Sequence, residues 1–477
     1  MKLACWKTKN RGNLSQGGRD LIALSAHTGT QALRRETTVR AHGARALLIN
    51  TARSLRLILQ ALPIACWILL AGCTESTAPG VSRPTTIVFK HFKLLGDPEP
   101  LARLIAEFEQ QNPGLRVKEE TLPSGTDEQH QFYAINLQAR SADFDVFAID
   151  VIWAAEFARA GWLRDLDDLL PTAEREEFFP GPIEAVTYRG TLYGVPWFID
   201  AGVLYYRKDL LAKYGVAPPR TWDELVRIAR QIVAKEPDLY GFVWQAKQYE
   251  GLVCNALEYL WSNGGDVLRN GTVVLNSPEN RRALQFMRDL IDTYRVTPPL
   301  VTTATEEPAR RIFGAGKAVF LRNWPYAWTL FQQPGSAVQG RVGITRLPHF
   351  EGGRSAATLG GWQLAVNRFS KHPAAAERLV RFLTSPAGQK ALAIAYGLNP
   401  TRKTLYQDAT LRAAQPALPV LYTVFEGARP RPVTPEYARI SQVMQSEFSA
   451  VIAGIKAPGA AFETAQHQIE DILHDAR

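Results

Sequence analysis

From Thr85 onward, short apolar runs alternate with segments whose apolar residues recur every three or four positions. "TTIVFKHF" (Thr85–Phe92), "LRVKEE" (Leu115–Glu120) and "FDVFAID" (Phe144–Asp150) read as strands. Between the first two, Leu101, Leu104, Ile105 and Phe108 share one face of a helix that Asn112-Pro113-Gly114 stops. Residues Asp127–Arg140 predict a second helix, and Trp153–Ala160 a third, ended by Gly161. The pattern restarts after "LYGVPWFIDAGVLYYRKDLLAKYG", where Thr221 as N-cap and Glu224 at the third helical position predict a capping box. This alternation predicts mostly parallel sheets flanked by helices, and the length suits two α/β lobes better than one.

In open α/β sheets, ligands gather beyond the carboxyl ends of strands. Asp150 closes "FDVFAID" in that way, and Asp200 closes "VPWFID". An aspartate before a helix is equally a common N-cap, and the local sequence leaves both readings open for Asp150. "FLRNWPYAWTLF" (Phe320–Phe331) sets Trp324, Tyr326 and Trp328 at alternate positions around Pro325. Large aromatic residues mostly pack, so spacing alone favours a core, with Pro325 arguing against the middle of a sheet.

The formal charge of +9 does not belong to this patterned body. Residues 1–72 hold 11 Lys and Arg against two acids, which leaves 44 of each sign in residues 73–477. A neutral body gives no electrostatic basis for binding nucleic acid. The basic segment ends in a mostly apolar run, Leu57–Gly72, of 16 residues, short of the ~20 that cross a bilayer. This layout is that of a secretory leader, residues 1–72. Leu70-Ala71-Gly72-Cys73 resembles a bacterial lipobox, which implies acylation of Cys73, followed by a flexible tether over residues 73–84. The leader is long, and translation is expected to begin nearer Val39 or Leu48. After cleavage only Cys73 and Cys254 remain, so no intrachain disulfide is expected, and Cys254 reads as a packing residue.

Motifs for covalent chemistry are missing. "GAGKA" (Gly314–Ala318) lacks the first glycine and the final hydroxyl of a phosphate loop, and "DLDDLL" around Asp165, Asp167 and Asp168 reads as a solvated loop. No Cys/His cluster has metal-ligand spacing, and neither metal nor cofactor is expected. The chain instead offers aromatic residues beside carboxylates. A sugar lays its apolar C–H face on an aromatic ring and turns its hydroxyl rim to charged groups, so this mix suits carbohydrate.

"GFVWQAKQYEGLVC" (Gly241–Cys254), "RNWPYAW" (Arg322–Trp328), "SAATLGGWQLAV" (Ser355–Val366) and "IDAGVLYYRKDLL" (Ile199–Leu211) closely resemble trehalose/maltose-binding proteins of ABC importers, within family 1 of the extracellular solute-binding proteins. The likeness runs from about Thr85 to the C-terminus. It implies a two-lobe periplasmic-binding-protein-like α/β fold of type II with the ligand in the cleft between lobes. Residues 85–198 and 326–399 would form one lobe, and 199–325 and 400–477 the other. Three hinge crossings are implied, near Phe198–Gly202, Arg322–Tyr326 and Leu398–Arg402. Carried over by position, Asp97, Asp150, Asp200 and Arg431 would meet the hydroxyls, Trp324 and Trp362 would lie beneath the rings, and the backbone of Gly360 and Gly361 would approach the sugar. The resemblance moves Trp324 from core to platform and leaves Tyr326 and Trp328 as packing.

Implied partners are an α-linked glucose disaccharide, the transmembrane subunits of an ABC permease, and the membrane through the lipid on Cys73; the chain would act as an extracytoplasmic monomer and not as an enzyme. Another oligosaccharide or a polyol is the alternative ligand, and a glycan-acting lipoprotein enzyme the alternative class. Three positions depart from the family pattern and bear on which disaccharide is preferred. Phe198 replaces an aromatic hydroxyl, Gln129 or His130 stands where an arginine is expected, and Asp97 replaces a longer Glu.

Overall fold

The computed structural model describes residues 84–123 and 125–476. Cys73 and the leader lie outside the described residues. The strands in chain order are β1 (Thr85–Phe92), β2 (Leu115–Leu122), β3 (Val146–Asp150), β4 (Thr187–Tyr188), β5 (Thr191–Leu192), β6 (Val195–Ala201) and β7 (Val203–Arg207). They continue as β8 (Tyr240–Val243), β9 (Leu268–Arg269), β10 (Thr272–Val273), β11 (Ala318–Asn323), β12 (Val342–Thr345), β13 (Ala357–Val366) and β14 (Ala428–Arg429). One sheet runs β14-β13-β3-β1-β2, with β6 also on β13; a second runs β12-β7-β11-β8. Each sheet carries its own apolar core. Phe89, Tyr133, Phe147 and Trp197 pack on the first, and Trp222, Phe242, Tyr259 and Phe286 on the second. The architecture is the two-lobe α/β fold of periplasmic binding proteins.

The sheets are mixed, where the alternation predicts mostly parallel ones. β1 pairs in parallel with β2 and β3, as βαβ units should. β13 enters the first sheet after the chain has visited the second, and so runs antiparallel to both β3 and β6. The second crossing also differs from the expected Arg322–Tyr326. After β11 the chain turns into a short helix, Ala327–Phe331, whose Phe331 packs edge-on against Tyr205 at 5.3 Å between ring centres. It then returns as β12 to pair with β7, so residues 326–345 stay with the second sheet, and the passage to the first lies between Thr345 and Ala357. Gly202 alone separates β6 of the first sheet from β7 of the second. Near the third expected crossing, Asn399 bridges Ile199 and Arg402 bridges Phe178.

Local chemistry explains the elements that frame the cleft. The helix Glu99–Gln111 buries Leu101, Leu104, Ile105 and Phe108 as its spacing predicts. The helix Thr126–Gln138 stops two residues short of the expected Arg140, which takes a left-handed φ of 55°. Thr221 Oγ1 accepts from Glu224 N at 3.2 Å and Glu224 Oε2 accepts from Thr221 N at 3.4 Å, closing a capping box that contributes about 1 kcal/mol. Next to it, Trp222 stacks on Tyr259 at 4.0 Å. Tyr259 belongs to the helix Glu250–Ser262, which is buried on every side. A helix so enclosed must neutralise any acid it carries, and it carries Glu250 and Glu258. Among the described residues no helix is long and apolar enough to cross a membrane.

Candidate functional site

A cavity of about 410 Å³ opens where the ends of the two sheets face each other. β3 delivers Asp150 to it, β6 delivers Asp200, and β13 delivers Gly360, Gly361 and Trp362. Trp324 follows β11, and Arg431 follows β14. The register sorts these residues, because Trp362 lies opposite Asp150 and Gly360 opposite Asp200 across adjacent strands. Gly361, at φ 111°, has no room for a side chain, since a Cβ there would overlap Phe198 O.

The Asp150 side is built on Arg431, which is 4% exposed. Its Nη2 donates to Asp150 Oδ1 at 3.1 Å and to Leu359 O at 3.4 Å, while Nη1 donates to Glu250 Oε1 at 2.7 Å. Tyr437 adds a hydroxyl to Glu250 Oε1 at 2.7 Å, and Ser441 donates to Oε2. Glu250 is thereby fully engaged by protein donors. Burial works against the guanidinium charge, but Cys254, Asp150 and Glu250 together hold Arg431 well above its ordinary range. Burial also raises the Asp150 carboxyl, and Arg431 pulls it back. Trp362 completes this side, edge-on to Trp153 at 5.4 Å and against Phe92 at 4.4 Å.

The Asp200 side is built on Trp324. Arg322 sits 4.2 Å from the indole, held behind it by Glu258 through a buried pair of 2.8 and 2.5 Å bonds. A desolvated cation on an aromatic face is worth about 2 kcal/mol. The indole Nε1 points to Glu306 Oε1 at 3.4 Å, and the far rim of the ring lies against Gly360. Trp324 and Trp362 are both only partly buried, so each keeps surface turned to the cavity. Tyr326 lines the cavity as well, with its hydroxyl bound to Glu307 Oε1 at 2.9 Å. Burial pushes the Asp200 carboxyl up to about 8, with Asn399 and Arg322 opposing.

Seven of the eight expected ligand contacts therefore share one cavity: Asp150, Asp200, Trp324, Gly360, Gly361, Trp362 and Arg431. Asp97 is not part of its wall. It stands before the helix at Glu99 and turns its Oδ1 back to Glu99 N at 3.0 Å, so the carboxylate serves the helix start. Gln129 donates to Pro123 O at 2.7 Å and His130 meets Glu156 Oε2 at 2.9 Å, and neither reaches the cavity. Sequence reasoning missed Tyr249, Glu250 and Glu306. Glu250 was findable, as an acid at the head of an apolar helix needs a buried cation.

Residues 94–390 match the family model for bacterial extracellular solute-binding protein. A "Probable ABC transporter-binding protein" of Deinococcus radiodurans is 42% identical over 369 residues, 75% of this chain and 87% of that one. Among solved structures, maltose-bound MalE3 of T. maritima superposes with a TM-score of 0.78 at 46% identity, over 81% of this chain and 100% of that one. An ABC transporter solute-binding protein of Thermotoga lettingae bound with alpha-D-tagatose gives a TM-score of 0.74 at 25% identity, over 82% and 100%. The family match over most of the chain, together with the two-lobe fold and its polar, aromatic-walled cleft, defines a solute-binding protein, a non-catalytic class. This chain belongs to the bacterial extracellular solute-binding proteins.

Proposed function

We propose that this chain captures an α-linked glucose disaccharide, trehalose or maltose, and delivers it to the transmembrane subunits of an ABC importer. The observation that carries the reading is the pairing of each cavity aspartate with a partly exposed tryptophan, Asp150 with Trp362 and Asp200 with Trp324 by way of Gly360. Two such stations in a cavity of about 410 Å³ suit a solute of two rings, each with an apolar face and a polar rim. The 46% identity to maltose-bound MalE3 supports the same reading. Glu306 beside the Trp324 indole is a further hydroxyl contact. A lipid on Cys73 would keep the protein at the membrane beside its permease.

A polyol or a different sugar is the second reading. It is favoured by the relatives bound to tagatose and ribitol at 25–26% identity. Calorimetry with maltose, trehalose, tagatose and ribitol separates the two. Tight binding of maltose or trehalose alone supports the proposal, and binding of only a monosaccharide or polyol overturns it.

A further inference from the structure

Two acids of the cavity wall, Asp150 and Glu250, hold the guanidinium of Arg431, whereas Asp200 holds no cation. Asp200 is 8% exposed, and its Oδ1 is covered with no hydrogen-bond donor among the described residues. The groups around it come from four elements: Arg322 on β11, Tyr205 on β7, Tyr406 in the turn Lys403–Gln407, and Asn399. Arg322 is engaged by both oxygens of Glu258, so its charge is already balanced. Tyr205 donates its hydroxyl to the Trp324 and Pro325 carbonyls, each at 3.0 Å, and Tyr406 donates to Pro400 O at 2.9 Å. Asn399 gives one amide hydrogen to Gly397 O at 3.4 Å and turns its amide toward Asp200 as a neutral donor, while its own Oδ1 is a second covered acceptor without a donor. The neighbourhood thus holds two covered acceptors, Asp200 Oδ1 and Asn399 Oδ1, and offers Asp200 one neutral amide and no free cation. A bare carboxylate here carries the full cost of burying an unpaired charge. One proton removes that charge and supplies the missing donor.

We propose that Asp200 takes part in solute recognition as a protonated acid, donating a hydrogen bond to an acceptor oxygen of a neutral solute. The proposal rests on the reading of this cavity as the sugar site. It makes binding proton-linked, and it removes Asp200 as a counter-charge for a cationic solute. The elevated carboxyl, driven by burial, agrees with the geometry and sets the pH range in which the effect appears.

Two measurements test it on the full chain. Carbon-13 NMR of the Asp side-chain carboxyls, with the Asp200 signal assigned by its loss in Asp200→Asn, reads the proton directly and needs no sugar. A midpoint near 8 is expected, and a midpoint below 5 overturns the proposal. Calorimetry with maltose and trehalose from pH 6.5 to 9 reads the linkage. If only the protonated form binds, the wild-type Kd rises roughly tenfold between pH 7 and pH 9. Asp200→Asn, whatever its affinity, loses that slope. A flat wild-type profile overturns the proposal. If neither sugar binds at any pH, the functional reading fails and the carboxyl titration alone decides the protonation.

Discussion

Asp150 ends its strand and Asp200 stands one residue before the end of its own, in the similar runs Phe-Ala-Ile-Asp and Trp-Phe-Ile-Asp; both line the same cavity, yet their surroundings are opposite in kind. Asp150 meets an arginine that stands 281 residues further along the chain and that also binds Glu250. Asp200 has an arginine nearby, but Glu258 holds it. A carboxyl at a strand end is therefore a position and not yet a chemical state. What fixes the state is whether a distant segment brings a free cation, and only the tertiary fold decides that.

The comparison can be broken most forcefully at Arg431. Replacing it with Met leaves Asp150 and Glu250 buried without a cation and is expected to destabilise the fold by about 3–5 kcal/mol, read by urea unfolding. A loss below about 1 kcal/mol would mean that the arginine side is no more dependent on its charge than the Asp200 side. Asp200→Asn should act in the opposite direction. The folded carboxyl titrates near 8 and the unfolded one near 3.9, so the folded chain binds the extra proton between those values. Relative stability is complete below the unfolded value, declines as pH rises through the window, and is gone above about 8. The asparagine variant escapes this decline and should gain about 4–5 kcal/mol at pH 7.5 with almost no gain near pH 3.5. Equal effects at both pH values would show that Asp200 is an ordinary ionised acid.

Smaller effects sharpen the pairing of each acid with its ring. Trp324→Ala and Trp362→Ala should each weaken disaccharide binding by about 2 kcal/mol in calorimetry, as truncated aromatic anchors do. An unchanged Kd in either would return that ring to the core. Gly360→Ala places a Cβ 3.0 Å from Trp324 Cζ3 and should shift the ring enough to cost about 1 kcal/mol of affinity. Asp97→Asn, outside the cavity wall and a substitution of one good cap for another, should leave affinity within about twofold.

Much of the frame was legible in the sequence because it is written in local periods. The apolar face of Glu99–Gln111 and the box at Thr221 and Glu224 depend only on neighbours three or four residues away, and both form. Strand ends marked Asp150 and Asp200, and these two acids line one cavity with the rings Trp324 and Trp362. The return of β12 to β7 was not legible, since "VGIT" is four residues long and its partner lies far away in sequence. Glu250 and Glu306 were missed for a related reason. Each sits at a helix start, where acids are ordinary; the apolar run behind Glu250 was its one local signal, and for Glu306 only the placement of its helix against the cleft sets it apart.

Gly202 is the whole of the link between β6 and β7, and it passes against the Glu258–Arg322 pair so closely that a methyl group there would overlap Glu258 Oε1 and Arg322 Nη2. A link of one residue gives the two walls very little room to wander apart. In the language of tethered ligands, each wall sees the other at a high effective concentration even before a solute arrives. A sugar that touches both walls then needs to supply only the small free energy of bringing together surfaces that are already neighbours, and modest contacts on each side suffice to hold it.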